Sequence, residues 1–236
     1  MDFGAAPGER QPPPFPLFVV DARRHFLASS DMDGPDYSFE AQAAAQGFAR
    51  VAGVDEVGRG PLAGPVTAAA VVLDPNNIPD GLNDSKKLGA AARQRLNDIL
   101  FQVAEVSIAH ASVEEIDRLN ILRASHLAME RAVAGLRHAP DYLLIDGNIV
   151  PQGLNIPARA VVKGDAKSVS ISAASIVAKT CRDRIMVDLA QQHPGYGWET
   201  NAGYPSKSHR LALQNLGVTP HHRRSFRPVH KMLYQD

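Results

Sequence analysis

Short apolar runs, separated by glycine, proline and polar residues, recur along the middle of the chain. Runs of this length that are rich in β-branched residues are typical of strands. We predict strands at residues 50–55, 65–73, 106–113, 142–145 and 158–162. Pro61 and Pro65 disfavour a helix between the first two strands, so we expect the glycine-rich segment there to be a connecting turn.

Longer segments with apolar residues three and four positions apart alternate with these strands. This spacing predicts amphipathic helices at residues 90–104, 113–136 and 170–191. Strands and helices then follow in the order β-β-α-β-α-β-β-α, which is typical of an α/β fold. We therefore predict an α/β domain with a central mixed five-stranded sheet, flanking helices and a helical C-terminal segment.

The first 48 residues differ in composition from the rest of the chain. Five prolines fall within the first 16 positions, and the apolar runs are brief. Segments that bury little apolar surface stay disordered. We expect residues 1–48 to be a largely disordered extension with one short helix near residues 41–48. Residues 49–236 then form the folded domain, including a basic C-terminal segment.

Length and composition fit one globular domain. The 236 residues are 44% hydrophobic and 21% charged, as in ordinary globular proteins. Cys181 is the only cysteine, which excludes an internal disulfide and a multi-cysteine zinc site. The sequence has no run of about 18 apolar residues, and its proline-rich start does not resemble a signal peptide. We expect a cytoplasmic protein with no membrane partner.

Charge is distributed unevenly, although the formal net charge is zero. Lysine and arginine together number 25, as do aspartate and glutamate. Between Glu199 and Asp236 the sequence has no acid but has six lysines and arginines and four histidines. Two interpretations remain open for this segment: a solvated basic tail, or a surface that faces a polyanion such as a nucleic acid.

Three aspartates occupy similar positions in the predicted sheet. Asp55, Asp146 and Asp165 each lie at or near the C-terminal end of a strand, where open α/β sheets bind ligands. Glu56 adjoins the first of them. An isolated aspartate there is usually a turn former, but clustered carboxylates repel one another and favour a cation. Oxygen ligands select Mg²⁺ or Mn²⁺, and two such ions about 3.5–4 Å apart can support phosphodiester hydrolysis.

The motifs do not support other phosphate-binding or hydrolytic sites. Gly58, Gly60 and Gly64 are spaced one residue too widely for the dinucleotide-binding fingerprint, and they precede a predicted strand. The sequence contains no GxxxxGK[ST] P-loop, no HExxH zinc motif and no GxSxG serine-hydrolase motif. Metal-dependent phosphodiester chemistry is therefore favoured.

The segment Gly58-Arg59-Gly60 follows the first two acids. It is either a simple tight connection or a turn whose glycines let the backbone approach a sugar or phosphate closely. Tyr204, which precedes Pro205, either packs or stacks its ring on a sugar or base. A nucleic acid would use both the metal site and the turn, and its 2′-hydroxyl is the group that distinguishes RNA from DNA.

Three further basic residues are candidates for substrate contacts. Lys179 and Arg182 share a polar face of the predicted helix at residues 170–191, although Lys179 could instead pair with Asp183. Lys86 lies near a predicted helix N-terminus, where a structural role is the alternative to contact with a nucleic-acid backbone.

Motifs along most of the chain resemble those of the ribonuclease HII family. They are GVDEVGRGPLAGPV (residues 53–66), LNDSKKL (82–88), IDGN (145–148), KGDAKS (163–168), SAASIVAK (172–179), GYPSK (203–207) and HRRSF (222–226). The match extends over residues 50–230, and several long motifs in the same order make it specific.

The resemblance implies an RNase H-like fold and an endonuclease that hydrolyses the RNA strand of RNA–DNA hybrids. It also implies cleavage 5′ to a single ribonucleotide in duplex DNA, leaving a 3′-hydroxyl and a 5′-phosphate. The backbone at residues 58–60 would contact the 2′-hydroxyl, and Tyr204 would stack on the sugar of the following deoxynucleotide. The residues implied to hold two Mn²⁺ or Mg²⁺ ions are Asp55, Glu56, Asp146 and Asp165.

Related nucleases and a non-enzymatic module are the alternatives. Ribonuclease HIII usually carries a sizeable N-terminal DNA-binding domain, and residues 1–48 are too short and too rich in proline for one. A catalytically silent nucleic-acid-binding module would be free to lose the four acids, which are all present. Cleavage of all-DNA substrates would favour a junction resolvase or an integrase. We expect a monomeric enzyme.

Overall fold

The computed structural model describes residues 34–234 of the chain. Most of the predicted extension, residues 1–33, lies outside the described residues, as do residues 235–236. Within residues 34–234, five strands form one sheet in the order β3-β2-β1-β4-β5. They are β1 Val51–Val57, β2 Val66–Val72, β3 Glu105–Ala111, β4 Tyr142–Asp146 and β5 Ala158–Val161. β1 pairs antiparallel with β2 and parallel with β4, which confirms the predicted mixed sheet.

Helices flank both faces of the sheet. Over the described residues they are α1 Ser38–Ala45, α2 Ala90–Val103, α3 Val113–Leu119, α4 Ile121–Ala134, α5 Val169–Gln192, α6 Trp198–Asn201, α7 Lys207–Leu216 and α8 Arg227–Tyr234. Alternate residues of β2 supply both faces of the core. Ala68 and Ala70 pack with α4 on one face, whereas Ala69 and Val71 pack with α2 and α5 on the other. Helices α6 to α8 confirm the predicted helical C-terminal segment.

The close contact between α5 and β1 depends on a glycine. A methyl group added at Gly53 would lie 2.1 Å from the carbonyl carbon of Ser170, which is a severe clash with backbone atoms. Gly53 therefore lets the first turn of α5 lie directly against the central strand. Asp55 follows two residues later in β1, so this contact sets the distance between α5 and the first acid.

Residues 113–136 are largely helical, as predicted, but two helices and not one occupy that segment. Asn120 lies between α3 and α4 with φ of 68°, a left-handed conformation that ends the first helix. Its side-chain oxygen accepts hydrogen bonds from the backbone N–H groups of Leu122 and Arg123, which caps the second helix. Apolar periodicity continues through the break, so the periodicity alone did not reveal it.

Helix α1 lies in the segment that we assigned to the extension, and it begins and ends three residues earlier than the short helix predicted at residues 41–48. Glu40 is only 1% exposed. Its Oε1 accepts hydrogen bonds from the Ser168 hydroxyl at 2.6 Å and from the Ser170 N–H at 2.9 Å. Asp36 also forms a backbone bridge with Ser168. Residues 36–40 therefore pack on the start of α5, and the folded part of the chain begins before residue 49.

Candidate active site

Two neighbouring parallel strands bring three acids together. Val54 pairs with Ile145, so the next residues along β1 and β4, Asp55 and Asp146, come side by side. One carboxylate oxygen from each of Asp55, Glu56 and Asp146 lies within 4.8 Å of the other two. We call these three residues the carboxylate cluster. Parallel pairing of the strands produces it directly, because both carboxyl ends meet at one edge of the sheet.

Asp165 lies beside the carboxylate cluster and is held by different contacts. It belongs to a 3₁₀ helix, Gly164–Ala166, that follows β5. The preceding Gly164 N–H donates a hydrogen bond to Asp146 Oδ1 at 2.7 Å, which ties this helix to the cluster. The Asp165 carboxylate accepts from Lys86 Nζ at 3.4 Å. Asp165 is thus the fourth acid at the same edge of the sheet, joined to a lysine that is itself exposed.

Burial and mutual repulsion make the carboxylate cluster costly to ionise. Burial raises the pKa of Asp55 well above its ordinary value, with Glu56 and Asp146 adding to the rise. Burial also raises the pKa of Glu56, against the opposing effect of Arg59. Burial is also the largest cause that raises the pKa of Asp165, and the charge of Asp146 is the next largest. Without a counterion these acids therefore tend to keep their protons, and a bound cation would favour their ionised forms.

One oxygen of the cluster has no internal partner. Among the described residues, no group donates a hydrogen bond to the buried Glu56 Oε2, whereas Oε1 of the same side chain accepts from Arg59 at 3.2 Å. A buried polar atom without a partner is unfavourable unless a ligand supplies one. A hard divalent cation fits both observations, because it would bind the free oxygen and offset the repulsion between the acids.

The turn at residues 58–60 continues directly from β1. Gly58 has φ of 94°, and a methyl group added there would lie 2.1 Å from Nε of Arg182. Arg59 and Gly60 are exposed. A methyl group on Gly60 would lie 3.2 Å from the ring of Tyr204, which is 44% exposed. The structure therefore places the turn and Tyr204 side by side, next to the carboxylate cluster.

A buried arginine that we did not predict as a site residue holds this turn. Arg223 is fully buried. Its guanidinium donates to five backbone carbonyl oxygens, at distances from 2.6 to 3.2 Å, and the acceptors are Gly58, Arg59, Pro61, Gly64 and Pro65. Arg223 belongs to the HRRSF motif, but residue type and spacing did not indicate a buried role.

Two of the predicted substrate-binding residues are engaged inside the protein. Arg182 does not lie on an exposed helix face as we expected. It is fully buried and donates to the carbonyl oxygens of Pro65, Ala202 and Ala63 at 3.0–3.1 Å. Lys179 pairs with Asp183 at 2.7 Å, which is the alternative raised from the sequence. Since its donors are used by carbonyl groups, Arg182 holds the segment that follows the turn, lies against Gly58 and is not placed to contact a phosphate.

Comparison with known proteins gives this site its family. Residues 52–233 match the family model for ribonuclease HII. The chain belongs to the ribonuclease HII family. The ribonuclease HII of Ruegeria pomeroyi is 76% identical over 208 residues, which cover 88% of this chain and 89% of that protein. Membership makes the chain a metal-dependent endoribonuclease, and it supports cleavage of the RNA strand of RNA–DNA hybrids.

Solved structures show the same RNase H-like fold. The crystal structure of ribonuclease H2 from Pyrococcus horikoshii has a TM-score of 0.67 and 30% identity, and the match covers 79% of this chain and 98% of that chain. A ribonuclease HIII crystallised with Mn²⁺ has a TM-score of 0.66 at 21% identity and covers 87% of this chain and 76% of its own, which shows the fold alone. Over residues 34–234, no helix is long and apolar enough to cross a membrane.

Proposed function

We propose that this member of the ribonuclease HII family cuts duplex DNA on the 5′ side of a single embedded ribonucleotide, as well as the RNA strand of RNA–DNA hybrids. The products are a 3′-hydroxyl and a 5′-phosphate. The observation that carries the proposal is the position of the carboxylate cluster beside the 58–60 turn, where Arg59 and Gly60 are exposed, and beside Tyr204. A cut next to one ribonucleotide needs phosphate hydrolysis and recognition of a 2′-hydroxyl at adjacent positions, and this edge of the sheet offers both.

Four acids would hold two divalent ions, Mn²⁺ or Mg²⁺. They are the carboxylate cluster and Asp165, and they present only oxygen ligands. Such ions, when bound, lower the pKa of a water molecule and stabilise the leaving oxygen of a phosphodiester. The unpaired Glu56 Oε2 and the raised pKa of Asp55 support this assignment, since both follow from carboxylates packed without a counterion.

Lys86 would bind a substrate phosphate next to these acids. Its side chain is 78% exposed, and its ammonium lies 3.4 Å from Asp165 and 3.9 Å from Asp84. Partial burial lowers the pKa of Lys86, but the charges of Asp165 and Asp84 outweigh that effect and raise it overall. The residue therefore stays charged at neutral pH and can offset the negative charge of a phosphate that approaches the acids. Lys179 remains a weaker candidate, because Asp183 already neutralises it.

The 58–60 turn and Tyr204 would recognise the ribonucleotide and its neighbour. Close approach of the backbone at Gly58, Arg59 and Gly60 gives polar groups that can pair with a 2′-hydroxyl, which both donates and accepts. The exposed ring of Tyr204 lies against Gly60 and would stack on the sugar of the next deoxynucleotide. We call the turn and Tyr204 together the ribonucleotide reader.

The decisive experiment uses duplex DNA with one ribonucleotide, incubated with the purified protein and either Mg²⁺ or Mn²⁺. We expect one cut on the 5′ side of the ribonucleotide, mapped by end-labelled fragments. An all-DNA duplex of the same sequence is the control and should stay intact. No cut with either metal would overturn the proposal, and cleavage of a long hybrid alone would restrict it to hybrids.

The proposed site is contained within one chain, so we propose a monomer. The acids, Lys86 and the ribonucleotide reader all come from elements of one chain. Light scattering coupled to gel filtration should give the mass of one chain, 25.4 kDa. A mass twice as large at assay concentration would contradict this part of the proposal.

A further inference from the structure

A buried network of polar rings lies beneath Tyr204 and takes no part in the proposed metal site. His209, His222 and Trp198 are all fully buried. Nε2 of His209 lies 3.0 Å from the indole nitrogen of Trp198 and 3.1 Å from Nε2 of His222. Nδ1 of His209 lies 2.9 Å from the carbonyl oxygen of Tyr204. Burying polar rings is unfavourable unless each ring nitrogen has a hydrogen-bond partner.

Hydrogen-bond roles in this network follow from the donors at its two ends. The Thr219 backbone N–H donates to Nδ1 of His222 at 3.0 Å, so the proton of His222 is on Nε2. That proton points to Nε2 of His209. The indole N–H of Trp198 can only donate, and it donates to the same nitrogen. Nε2 of His209 is therefore an acceptor, and its Nδ1–H donates to the Tyr204 carbonyl oxygen.

Both histidines are held in the neutral form that this pattern requires. Burial lowers the pKa of His209 against the opposing effect of its backbone hydrogen bonds. Burial, followed by the neighbouring His209 and His221, lowers the pKa of His222 to about 3. A second proton on either ring would place two donors face to face. The network thus has one consistent arrangement, and that arrangement ends on the backbone of Tyr204.

The residue next to His222 holds the other half of the ribonucleotide reader. Arg223 donates to the carbonyl oxygens of Gly58 and Arg59 at 2.6 and 3.1 Å. Two adjacent residues of the C-terminal segment therefore anchor both halves, one through His209 and one directly. The segments that carry the two halves are also joined directly, because the Leu62 N–H donates to the Gly203 carbonyl oxygen at 2.8 Å.

We propose that His222 and Arg223 form one positioning element for the ribonucleotide reader. His209 links His222 to the backbone of Tyr204 and so fixes the position of the Tyr204 ring relative to the 58–60 turn. This inference rests on the proposed role of Tyr204. A ring fixed in one position packs well on a deoxyribose. It packs less well on a ribose, because the added 2′-hydroxyl needs space. The His209 link should therefore control the preference for a deoxynucleotide after the ribonucleotide, without contact between His209 and the substrate.

An isosteric pair of substitutions tests the link. Asn and Leu have the same shape, but only the Asn amide can donate from the position of Nδ1, and both lose the contacts to Trp198 and His222. We expect His209→Leu to reduce the ratio of kcat/KM for a ribo–deoxy junction over a continuous hybrid by about 5- to 10-fold. His209→Asn should keep the ratio within about 2-fold of the wild-type value. Equal ratios for the two variants would overturn the proposal.

A third variant covers the case in which His209→Leu does not fold. The longer His209→Gln side chain can accept from Trp198 and His222 at the position of Nε2, but it cannot reach the Tyr204 carbonyl oxygen. It should fold with a melting temperature near that of the wild type and lower the ratio as His209→Leu does. A wild-type ratio in His209→Gln would show that the network is structural only.

Combination with Tyr204→Ala separates this inference from the proposed function. If His209 acts through Tyr204, His209→Gln in the Tyr204→Ala background should not change the ratio further. A full additional loss in the double variant would overturn the link. A wild-type ratio in Tyr204→Ala alone would instead remove Tyr204 from the reader, and the inference would fail together with that assignment.

Discussion

The carboxylate cluster and the ribonucleotide reader lie side by side at one edge of the sheet, yet their internal bonding differs. In the cluster, like charges are packed together, burial raises the pKa of Asp55, and Glu56 Oε2 has no partner among the described residues. In the reader, carbonyl oxygens of the turn accept from Arg223, and the carbonyl oxygen of Tyr204 accepts from His209. The cluster is thus incomplete without a ligand, whereas the reader is preformed.

This contrast matches the chemistry that each region is proposed to perform. A metal site binds well when its ligands repel one another without the ion, because binding relieves that repulsion. A site that recognises one hydroxyl must keep its backbone in place before the substrate arrives, since flexible groups lose affinity when they become ordered. The two regions should therefore respond in opposite ways to substitution, and four predictions test this.

The largest effect should come from the cluster and should separate activity from stability. Asp55→Asn keeps the side-chain shape but removes a ligand charge, so we expect kcat to fall by at least about 10²–10³-fold. The melting temperature of the metal-free variant should rise, because a repelling charge is lost from a buried site. Cleavage assays and thermal melts in chelator measure the two effects. Reduced stability with reduced activity would instead indicate that Asp55 supports the fold.

The next largest effect should come from the reader and should be a loss of stability. Arg223→Ala leaves five buried carbonyl oxygens without their donor, so the free energy of unfolding should fall by about 3–5 kcal/mol. Arg224→Ala is the matched control, because the neighbouring side chain is exposed, and it should change the value by less than about 0.5 kcal/mol. Urea unfolding measures both. Similar values for the two variants would contradict the role given to Arg223.

A smaller effect is expected for the close approach at Gly58. Gly58 and Gly47 have nearly the same φ, 94° and 95°, but only Gly58 lies against another side chain. Both substitutions to alanine pay about 1–2 kcal/mol for the left-handed conformation. Gly58→Ala must also displace Arg182, so it should destabilise by about 1–3 kcal/mol more than Gly47→Ala. Equal losses in urea unfolding would show that Arg182 moves aside freely.

The smallest effect is an opposite pH dependence in the metal-free protein. The raised pKa of Asp55 contributes stability that is present at acid pH and is lost as the pH rises through the folded value. His222, with its pKa lowered to about 3, contributes stability that is lost as the pH falls below about 6.5, by up to about 1.4 kcal/mol per unit. Thermal melts from about pH 4 to about pH 8 should show both slopes.

Single variants assign the two slopes. Asp55→Asn should flatten the loss toward neutral pH, and His222→Gln should flatten the loss toward acid pH. If His222→Gln leaves the acid slope unchanged, His222 is not the neutral buried ring that the network requires.

Local pattern was sufficient for most of the fold. Apolar runs and helical spacing placed the five strands and the long helices, since these features depend on residues close together in the chain. The sequence pattern did not reveal the break at Asn120, because one residue with a positive φ interrupts a helix without interrupting its apolar face. The short helix near residue 41 was predicted, but its docking on the domain was not, because that docking depends on a hydrogen bond between Glu40 and Ser168, far along the chain.

The sequence by itself determined the strand-end positions of the acids, the glycine turn that follows β1 and the resemblance to ribonuclease HII. Only the tertiary structure decided which basic residues face outward. The sequence suggested that Arg182 is a phosphate ligand and that Arg223 belongs to a basic tail. Both are instead buried beneath the turn, and each donates to a carbonyl group more than 100 positions away in the chain. Burial and long-range hydrogen bonds are properties of the packed chain, so residue type and spacing do not specify them.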